Sequence, residues 1–460
     1  MTKPTAALSS RRDFLASTSL SAAAALVAPG FRPHVAGTDR IRVALVGCGG
    51  RGGGAANNAL AVPGELLELV AAADVFAGKP AAAVDALQEQ FGARVNVPAE
   101  RQFVGFDGYR KAMDCLRPGD IVILTTPPAF RWVHYTYAIA KGLNVFMEKP
   151  VCVDGPGAKR MLALNDQAKA KGLKVGVGLM SRHNFGMQEL QKRIADGELG
   201  DLMYLRGYRM HGPAAFFRSL KKPEGISELL YQIQRFHSFL WASGGNFSDF
   251  NIHIVDHLCW MKGMWPTHAQ GIGGRHVRDG KDGHYIDQNF DSYGVEYTFA
   301  DGARLFFDGR CIDGCKNMYA SYAHGTKGIA VVSASGDCGL PSAIYRGQRM
   351  EPANLAWQSE VAEKDQNPYQ NEWNVLVAAI REGREHNEVE TGVMTSVITA
   401  MGRMASHTGQ EISLPMILDQ GQEFAPGVDK LTMDSPAPLQ AGPDGLYPVP
   451  MPGMKKLMEY

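Results

Sequence analysis

Two short stretches of the sequence carry side chains suited to acid–base chemistry at a carbon–oxygen bond. Glu148-Lys149-Pro150 directly follows an apolar run that is predicted to be a strand. Asp249 and His253 lie four residues apart in a segment predicted to be helical, so their side chains share one face. A lysine stabilises negative charge that develops on a substrate oxygen, and a histidine exchanges protons near neutral pH. A carboxylate beside the histidine orients its ring or binds a neighbouring hydroxyl.

Brought together, these side chains could oxidise a secondary alcohol by hydride transfer to a nicotinamide. Simpler interpretations stay open: Asp249 could cap a helix with His253 in the core, and Glu148 with Lys149 could form a surface ion pair. A metal site is disfavoured, because no H-E-x-x-H motif and no cysteine cluster lies nearby.

A glycine-rich turn near residue 50 predicts a dinucleotide site. It follows Val43–Val46, a short apolar run typical of a central parallel strand. The turn matches G-x-G-x-x-G and comprises Gly47, Gly49, Gly50, Arg51 and Gly52. Its glycines permit a tight turn, close approach of a pyrophosphate and close packing of helix on strand. The helix that follows directs its free N–H groups and positive dipole end at the phosphates.

The preference for one nicotinamide cofactor depends on Asp74. This residue ends a second predicted strand over residues 66–73 and lies 22 residues after Gly52. An acidic side chain at that distance accepts hydrogen bonds from a ribose 2′-OH and repels a 2′-phosphate. NAD is therefore favoured over NADP, although Arg51 could offset the repulsion by pairing with phosphate. A glycine-rich turn without nucleotide, with Asp74 as a helix cap, is the simpler alternative.

Alternating strands and helices between residues 40 and 150 predict a doubly wound parallel sheet of the Rossmann type. Ligands bind at the carboxyl ends of such strands, where Thr125, Thr126 and Pro127 and the pair Glu148 and Lys149 are expected. Beyond residue 154, longer strands predict an α/β domain with a large open mixed, mostly antiparallel sheet. Such a sheet often pairs with its own copy in a homo-oligomer.

The predicted division of the chain has four parts. They are an N-terminal arm or signal over 1–37, a nucleotide-binding domain over 38–153, a substrate and oligomerisation domain over 154–417, and a C-terminal arm over 418–460. Residues 212–236 and the C-terminal arm are rich in Pro, Gly and polar residues, which predicts loops.

Composition excludes some classes of function. The 460 residues contain 47 Lys and Arg against 47 Asp and Glu, and no basic patch favours nucleic-acid binding. Seven cysteines are interpreted as unpaired thiols. Near the N-terminus, Ser10-Arg11-Arg12-Asp13-Phe14-Leu15 precedes an Ala-rich run too short to span a bilayer. This pattern resembles a twin-arginine (Tat) signal and predicts a periplasmic or exported protein without stable membrane insertion; a disordered arm is the alternative.

Together these motifs resemble the Gfo/Idh/MocA family of oxidoreductases, over most of residues 40–410. The resemblance rests on the glycine turn, the helix that carries His134, Asn144–Pro150, and the Asp249-x-x-x-His253 pattern. It implies a Rossmann domain with His134 near a bound NAD or NADP, and substrates among sugars, inositols and their derivatives.

The resemblance also implies roles for single residues. Lys149 would hold the reacting oxygen, His253 would exchange the proton, and Asp249 would support both. Glu148 would lie by the nicotinamide. Weaker candidates for substrate contact are Arg182, His183, Tyr208, Arg209 and His211.

Export adds a constraint on the cofactor. The periplasm has no free NAD pool, so an exported enzyme would carry a tightly bound cofactor and reset it within a closed redox cycle. Two alternatives to a sugar or inositol dehydrogenase therefore remain. One is an NAD-dependent glycosidase that works through a transient 3-keto sugar, and the other is a non-catalytic sugar-binding protein on the same fold.

Overall fold

The structure is a computed structural model that describes residues 40–460. The predicted Tat signal lies outside these residues. Within the described part of the chain, none of the helices combines the length and the apolar character needed to cross a bilayer.

Six parallel strands form the first sheet in the order β3-β2-β1-β4-β5-β6. The strands are Ile41–Val46 (β1), Leu67–Asp74 (β2), Gln102–Val104 (β3), Ile121–Leu124 (β4), Asn144–Met147 (β5) and Val175–Val177 (β6). Because β1 pairs with both β2 and β4, the strand order reverses beside its carboxyl end, where ligands bind in such sheets. The predicted Rossmann sheet is confirmed. Its sixth strand, β6, extends the sheet beyond residue 153, where the sequence places the end of the nucleotide-binding domain.

A second, nine-stranded sheet follows in the order β16-β15-β14-β13-β7-β12-β11-β8-β17. Only β7 and β12 pair in parallel, so the predicted mixed, mostly antiparallel sheet is confirmed. The strands are Leu202–His211 (β7), His268–Gly274 (β8), Ser292–Thr298 (β11), Arg304–Cys311 (β12), Met318–Gly325 (β13), Gly328–Ser333 (β14), Ala343–Arg346 (β15), Leu355–Gln358 (β16) and Ile412–Ser413 (β17). A separate two-stranded ribbon comprises Asp279–Gly280 (β9) and Gly283–His284 (β10).

Helices cover both faces of the first sheet and one face of the second. Their bounds are Gly50–Leu60 (α1), Lys79–Phe91 (α2), Gly108–Asp114 (α3), Arg131–Ala140 (α4), Gly155–Ala170 (α5), Phe185–Ala195 (α6), Glu228–Gln234 (α7), Leu240–Ser243 (α8), Gly245–Phe250 (α9), Ile252–Lys262 (α10), Pro368–Glu382 (α11), Val389–Thr408 (α12) and Leu414–Gln420 (α13). A Cβ placed on Gly207 of β7 would lie 2.3 Å from Ile254, so α10 packs directly on the second sheet.

The C-terminal half completes the core of the first domain. Trp373 on α11 is fully buried and stacks on Phe146 of β5, with ring centroids 4.5 Å apart. Leu376 and Val377 of the same helix join the apolar core around β1. The first domain therefore needs a helix that lies more than two hundred residues later in the chain.

Two segments differ from the sequence predictions. Residues 212–236, predicted as loops, contain the helix α7, whose Leu229 and Ile233 are buried. The C-terminal arm is irregular as predicted, but it packs closely: Glu459 is buried in an ion pair with Arg403 of α12, 2.9 Å away. The polar composition of the two segments does not predict the helix or the close packing, because only a few buried side chains hold each segment in place.

Candidate active site and dinucleotide cleft

The glycine turn lies between β1 and α1, as predicted. Gly47 has a φ of +99°, and a Cβ there would lie 2.7 Å from the backbone nitrogen of Thr126. A Cβ on Gly52 would lie 1.9 Å from the carbonyl oxygen of Gly47. Gly49 and Gly50 face open space at the N-terminus of α1. The turn thus packs tightly on its protein side and leaves backbone N–H groups free on the other, which fits a pyrophosphate.

A cavity of about 370 Å³ opens beside this turn at the carboxyl ends of the parallel strands. Seven of the twelve predicted cofactor residues line it: Gly47, Gly49, Asp74, Thr125, Thr126, Pro127 and His134. The Asp74 carboxylate accepts hydrogen bonds from the backbone nitrogens of Cys48, at 2.7 Å, and Phe76, at 3.0 Å. Asp74 therefore both fixes the glycine turn and faces the cavity.

His134 forms part of the apolar wall of this cavity. Its ring lies 4.3 Å from the ring of Tyr109, and its Nδ1 is 3.2 Å from the hydroxyl of Thr126. Burial lowers the pKa of His134 to about 3, with Arg131 acting in the same direction. The imidazole is therefore neutral at physiological pH and serves as a flat, uncharged surface.

Lys149 and Asp249 meet where the two domains face each other. The Lys149 ammonium donates to the backbone oxygen of Asp249 at 2.6 Å and lies 3.9 Å from its carboxylate. Nε2 of His237 lies 3.1 Å from the same carboxylate. Burial alone would raise the pKa of Asp249, but Lys149 and His237 lower it to about 2. Asp249 is therefore ionised and holds the lysine in place.

His253 lies beside this pair and is almost fully buried. Burial lowers its pKa to about 3, although the charge of Asp337 acts in the opposite direction. The charge of Lys149 lowers that pKa further. Its Nδ1 has no hydrogen-bond partner among the described residues. The structure thus holds a neutral imidazole near the lysine.

Asp249 and His253 lie on two consecutive helices rather than one. Asn251 separates α9 from α10, but its backbone hydrogen bonds to Phe247 and Val255 continue the helical path across the junction. Helix α9 begins at Gly245, directly after Gly244, and both glycines have positive φ. The backbone oxygen of Asp249 accepts the hydrogen bond from Lys149.

Glu148 and Arg51 form an ion pair at 2.5 Å, and the guanidinium of Arg51 lies 4.6 Å from the ring centre of Tyr369. Arg51 therefore contacts Glu148 instead of the cavity. Gly50, Gly52 and Lys149 also lie outside the cavity lining. The cavity is therefore the part of the cleft around Asp74. The reactive side chains Lys149, Asp249 and His253 lie outside its lining.

The weaker substrate candidates are mostly engaged elsewhere. Arg182 pairs with Asp256 at 2.8 Å, and His183 lies 2.9 Å from a carboxylate oxygen of Glu388. Tyr208 lies on the sheet face opposite α10, because its neighbour Gly207 faces that helix. The contacts of Arg182 and His183 connect separate elements of the fold.

Arg209 and His211 lie on the same side as the reactive side chains. Arg209 pairs with Asp337 at 3.3 Å and donates to Nε2 of His211 at 3.2 Å. It also donates to the backbone oxygen of Phe250, next to Asp249. Arg209 is therefore the weaker candidate that the structure brings nearest to the reactive side chains.

Sequence reasoning missed His237, Asp337 and the side chains that cover the cavity from the second domain. No motif spacing links His237 to Asp249 or Asp337 to His253, because each pair forms only when separate elements pack. The rings of Phe216, Phe217, Phe236 and His237 are a sequence signal that could mark this region.

Comparison with known protein families gives a match in the first domain. Residues 41–179 match the model GFO_IDH_MocA, described as an oxidoreductase family with an NAD-binding Rossmann fold. The matched residues contain all six strands of the Rossmann sheet of the first domain.

Two curated relatives cover part of the chain. A scyllo-inositol 2-dehydrogenase (NAD(+)) of Bacillus subtilis is 28% identical over 157 residues, which are 34% of this chain and 39% of the relative. A glycosyl hydrolase family 109 protein of Streptomyces coelicolor is 30% identical over 175 residues, 37% of this chain and 34% of that protein. The chain thus spans less than half the length of the curated relatives it matches.

Structural similarity extends over both domains. The aldose-aldose oxidoreductase of Caulobacter crescentus, solved with glycerol, superimposes with a TM-score of 0.59 at 19% identity. The match covers 81% of this chain and 99% of that protein. The two-domain fold is therefore shared with that protein.

Proposed function

We propose that the protein is an NAD-dependent oxidoreductase that acts on a secondary hydroxyl of a sugar, an inositol or a derivative. One observation carries the proposal: Lys149 and Asp249, with His253 beside them, meet between the domains, next to a cleft that contains the glycine turn and Asp74. The names of the inositol dehydrogenase and aldose oxidoreductase relatives support this class of substrate.

The side chains divide the reaction between them. A bound nicotinamide supplies the acceptor for the hydride that leaves the carbinol carbon. Lys149 holds the substrate oxygen and stabilises the negative charge that develops on it. Neutral His253 is the candidate acceptor of the hydroxyl proton. Asp249 keeps the ammonium in position through the contacts described above.

A second candidate is an NAD-dependent glycosidase that works through a transient 3-keto sugar. The family 109 glycosyl hydrolase relative supports it. Oxidation at C3 acidifies the neighbouring C–H and permits elimination of the glycosidic substituent; water then adds to the unsaturated ketone, and the ketone is reduced again. This cycle consumes no cofactor overall and suits a protein that retains its nucleotide.

One pair of measurements tests both candidates. The purified protein is denatured and the released nucleotide is identified by mass and absorbance; we expect NAD. The native protein is then mixed with sugars, inositols and aryl glycosides while the nicotinamide absorption band is followed. Stoichiometric reduction of the nicotinamide by a polyol supports the dehydrogenase. Release of the phenol from an aryl glycoside, without net reduction of the nicotinamide, supports the glycosidase. Absence of nucleotide in the released fraction, with no binding of added NAD, would contradict both.

Lys149→Ala distinguishes an enzyme from a sugar-binding protein on the same fold. We expect this variant to lose turnover by about two to four orders of magnitude, since a charge-stabilising group is removed from the reacting oxygen. The matched control is Lys159→Ala, which breaks an exposed ion pair with Asp419 on the surface. If the protein only binds sugars, the Lys149→Ala variant should keep the ligand affinity of the native protein, and neither variant should change a rate of turnover.

We also propose export of the folded, nucleotide-loaded protein through the Tat pathway. The paired arginines Arg11 and Arg12 ahead of an apolar run support this. Replacing both with lysine should retain the protein in the cytoplasm, as measured by fractionation of expressing cells. Unchanged export, or no export of the native chain, would contradict the proposal.

A further inference from the structure

The second domain closes over the dinucleotide cleft with a segment that we name the aromatic cover, residues 216–219 and 233–236. Phe216 and residues 233–236 line the same cavity as Asp74 and His134. Since Asp74 marks the ribose of the adenosine half, the aromatic cover lies across that half of the site.

A single arginine joins the two parts of the aromatic cover. The guanidinium of Arg235 lies 4.6 Å from the ring centre of Phe216. The same group donates to the Ser219 hydroxyl at 2.8 Å and to the backbone oxygen of Arg218 at 2.7 Å. These contacts hold Phe216 against Arg235 at the rim of the cavity, where the Phe216 ring is 36% exposed.

Buried amides anchor the aromatic cover from behind. The side chain of Asn289, fully buried, donates to the backbone oxygens of Phe217 at 2.8 Å and His237 at 2.9 Å. Gln232, also fully buried, donates to the backbone oxygen of Leu439 in the C-terminal segment at 2.8 Å. Releasing the aromatic cover would leave these buried polar groups unpaired, which is costly.

The opposite walls of the cavity are also joined to each other. Trp241, fully buried in α8 just after the aromatic cover, packs edge-on against Phe130, with ring centroids 6.2 Å apart. Phe130 lines the cavity on the side of the first domain. This contact joins the two domains beside the cavity.

We propose that the aromatic cover retains the dinucleotide, so that bound NAD exchanges far more slowly than a ligand in an open Rossmann cleft. The inference rests on the proposed function, because it requires that a dinucleotide binds. Retention comes from a fixed wall that the second domain builds across the adenosine half. A cofactor held in this way must be reset in place.

The test measures nucleotide exchange instead of activity. The full-length protein is loaded with radiolabelled NAD, chased with excess unlabelled NAD, and sampled by gel filtration. We expect slow release from the native protein and release at least about tenfold faster from Phe216→Ala and from Phe216→Ala/Arg235→Ala, the size expected from loss of one stacking contact. Phe185→Ala is the matched control, because its ring is 41% exposed and does not line the cavity.

The outcomes separate this inference from the proposed function. Native protein that binds labelled NAD but releases it as fast as the Phe216→Ala variant overturns retention and leaves the function standing. Native protein that binds no NAD overturns the function itself. If the double variant does not fold, as judged by circular dichroism, Phe216→Ala decides alone, since it leaves the hydrogen bonds of Arg235 intact.

Discussion

At the scale of single residues, the site combines side chains that sequence motifs predict with side chains that no motif predicts. Lys149, Asp249 and His253 follow from local motifs, and the structure brings them into one region. His237 completes the pairing of Asp249 but lies twelve residues upstream without a recognisable spacing. A carboxylate can be identified from sequence, whereas the side chain that contacts it depends on how α9 packs against the preceding segment.

Asp74→Ser tests the basis of cofactor choice. Serine keeps a hydrogen-bond acceptor but removes the charge that repels a 2′-phosphate, so binding of NADP relative to NAD should rise by about tenfold or more. Competition binding with the two nucleotides measures this ratio. Asp85→Ser, on the exposed face of α2, should leave it unchanged. An unchanged ratio in Asp74→Ser would assign the preference to other residues.

The buried state of His253 predicts an unusual pH profile. Its pKa is lowered to about 3, so the ring stays neutral as the pH falls from 8 to 5 and becomes protonated only well below that range. An exposed histidine would lose its basic form near pH 6.5. We therefore expect kcat/KM to show no acid limb from His253 between pH 5 and 8. An acid limb near pH 6.5 that disappears in His253→Gln would contradict this expectation.

At the scale of elements, the sequence predicts the strands β1 and β2 to within about two residues, because each has a local apolar period, but it does not predict the short strand β3. The C-terminal segment lacks such a period, yet Glu459 is buried between Arg403 and His407 of α12. The same Arg403 donates to the backbone oxygen of Gly244, at the start of α9. The segment therefore supports the helix that carries Asp249 through a contact that no sequence pattern predicts.

Glu459→Gln tests this support. Removing the carboxylate leaves the guanidinium of Arg403 buried without its partner, which should lower the free energy of unfolding by about 3–5 kcal/mol. Asp419→Asn breaks the exposed pair with Lys159 and should cost at most about 1 kcal/mol. Urea denaturation of the two variants and the native protein gives the comparison. Equal effects would mean that the buried pair contributes no more than a surface one.

At the scale of the whole molecule, α10 and α12 cover one face of the second sheet, and the other face has no helix on it within residues 40–460. The uncovered face presents Tyr204, Phe306 and Ile272, of which Ile272 is 78% exposed. Apolar side chains on an open sheet of this kind support pairing with a second copy. The sequence predicted the sheet, and the assembly stays a proposal.

Light scattering after gel filtration tests that assembly. We expect the native protein to be at least a dimer, and Ile272→Asp/Phe306→Asp to be monomeric, since both side chains are exposed in the single chain and their replacement spares its core. Met350→Asp, on a loop outside the sheet, is the control for an added charge. A native monomer, or a double variant of unchanged mass, would argue against pairing through this face.

The position of Trp373 on Phe146 has a consequence for biosynthesis. The chain is synthesised from its N-terminus, so β1 to β6 leave the ribosome early. Trp373, which packs on their core, is synthesised only with α11, over Pro368–Glu382. The apolar core of the nucleotide-binding domain therefore stays partly uncovered until about four-fifths of the polypeptide has been synthesised. Nucleotide can be captured stably only after that point, so we expect cofactor loading to follow translation of α11 and to precede passage across any membrane.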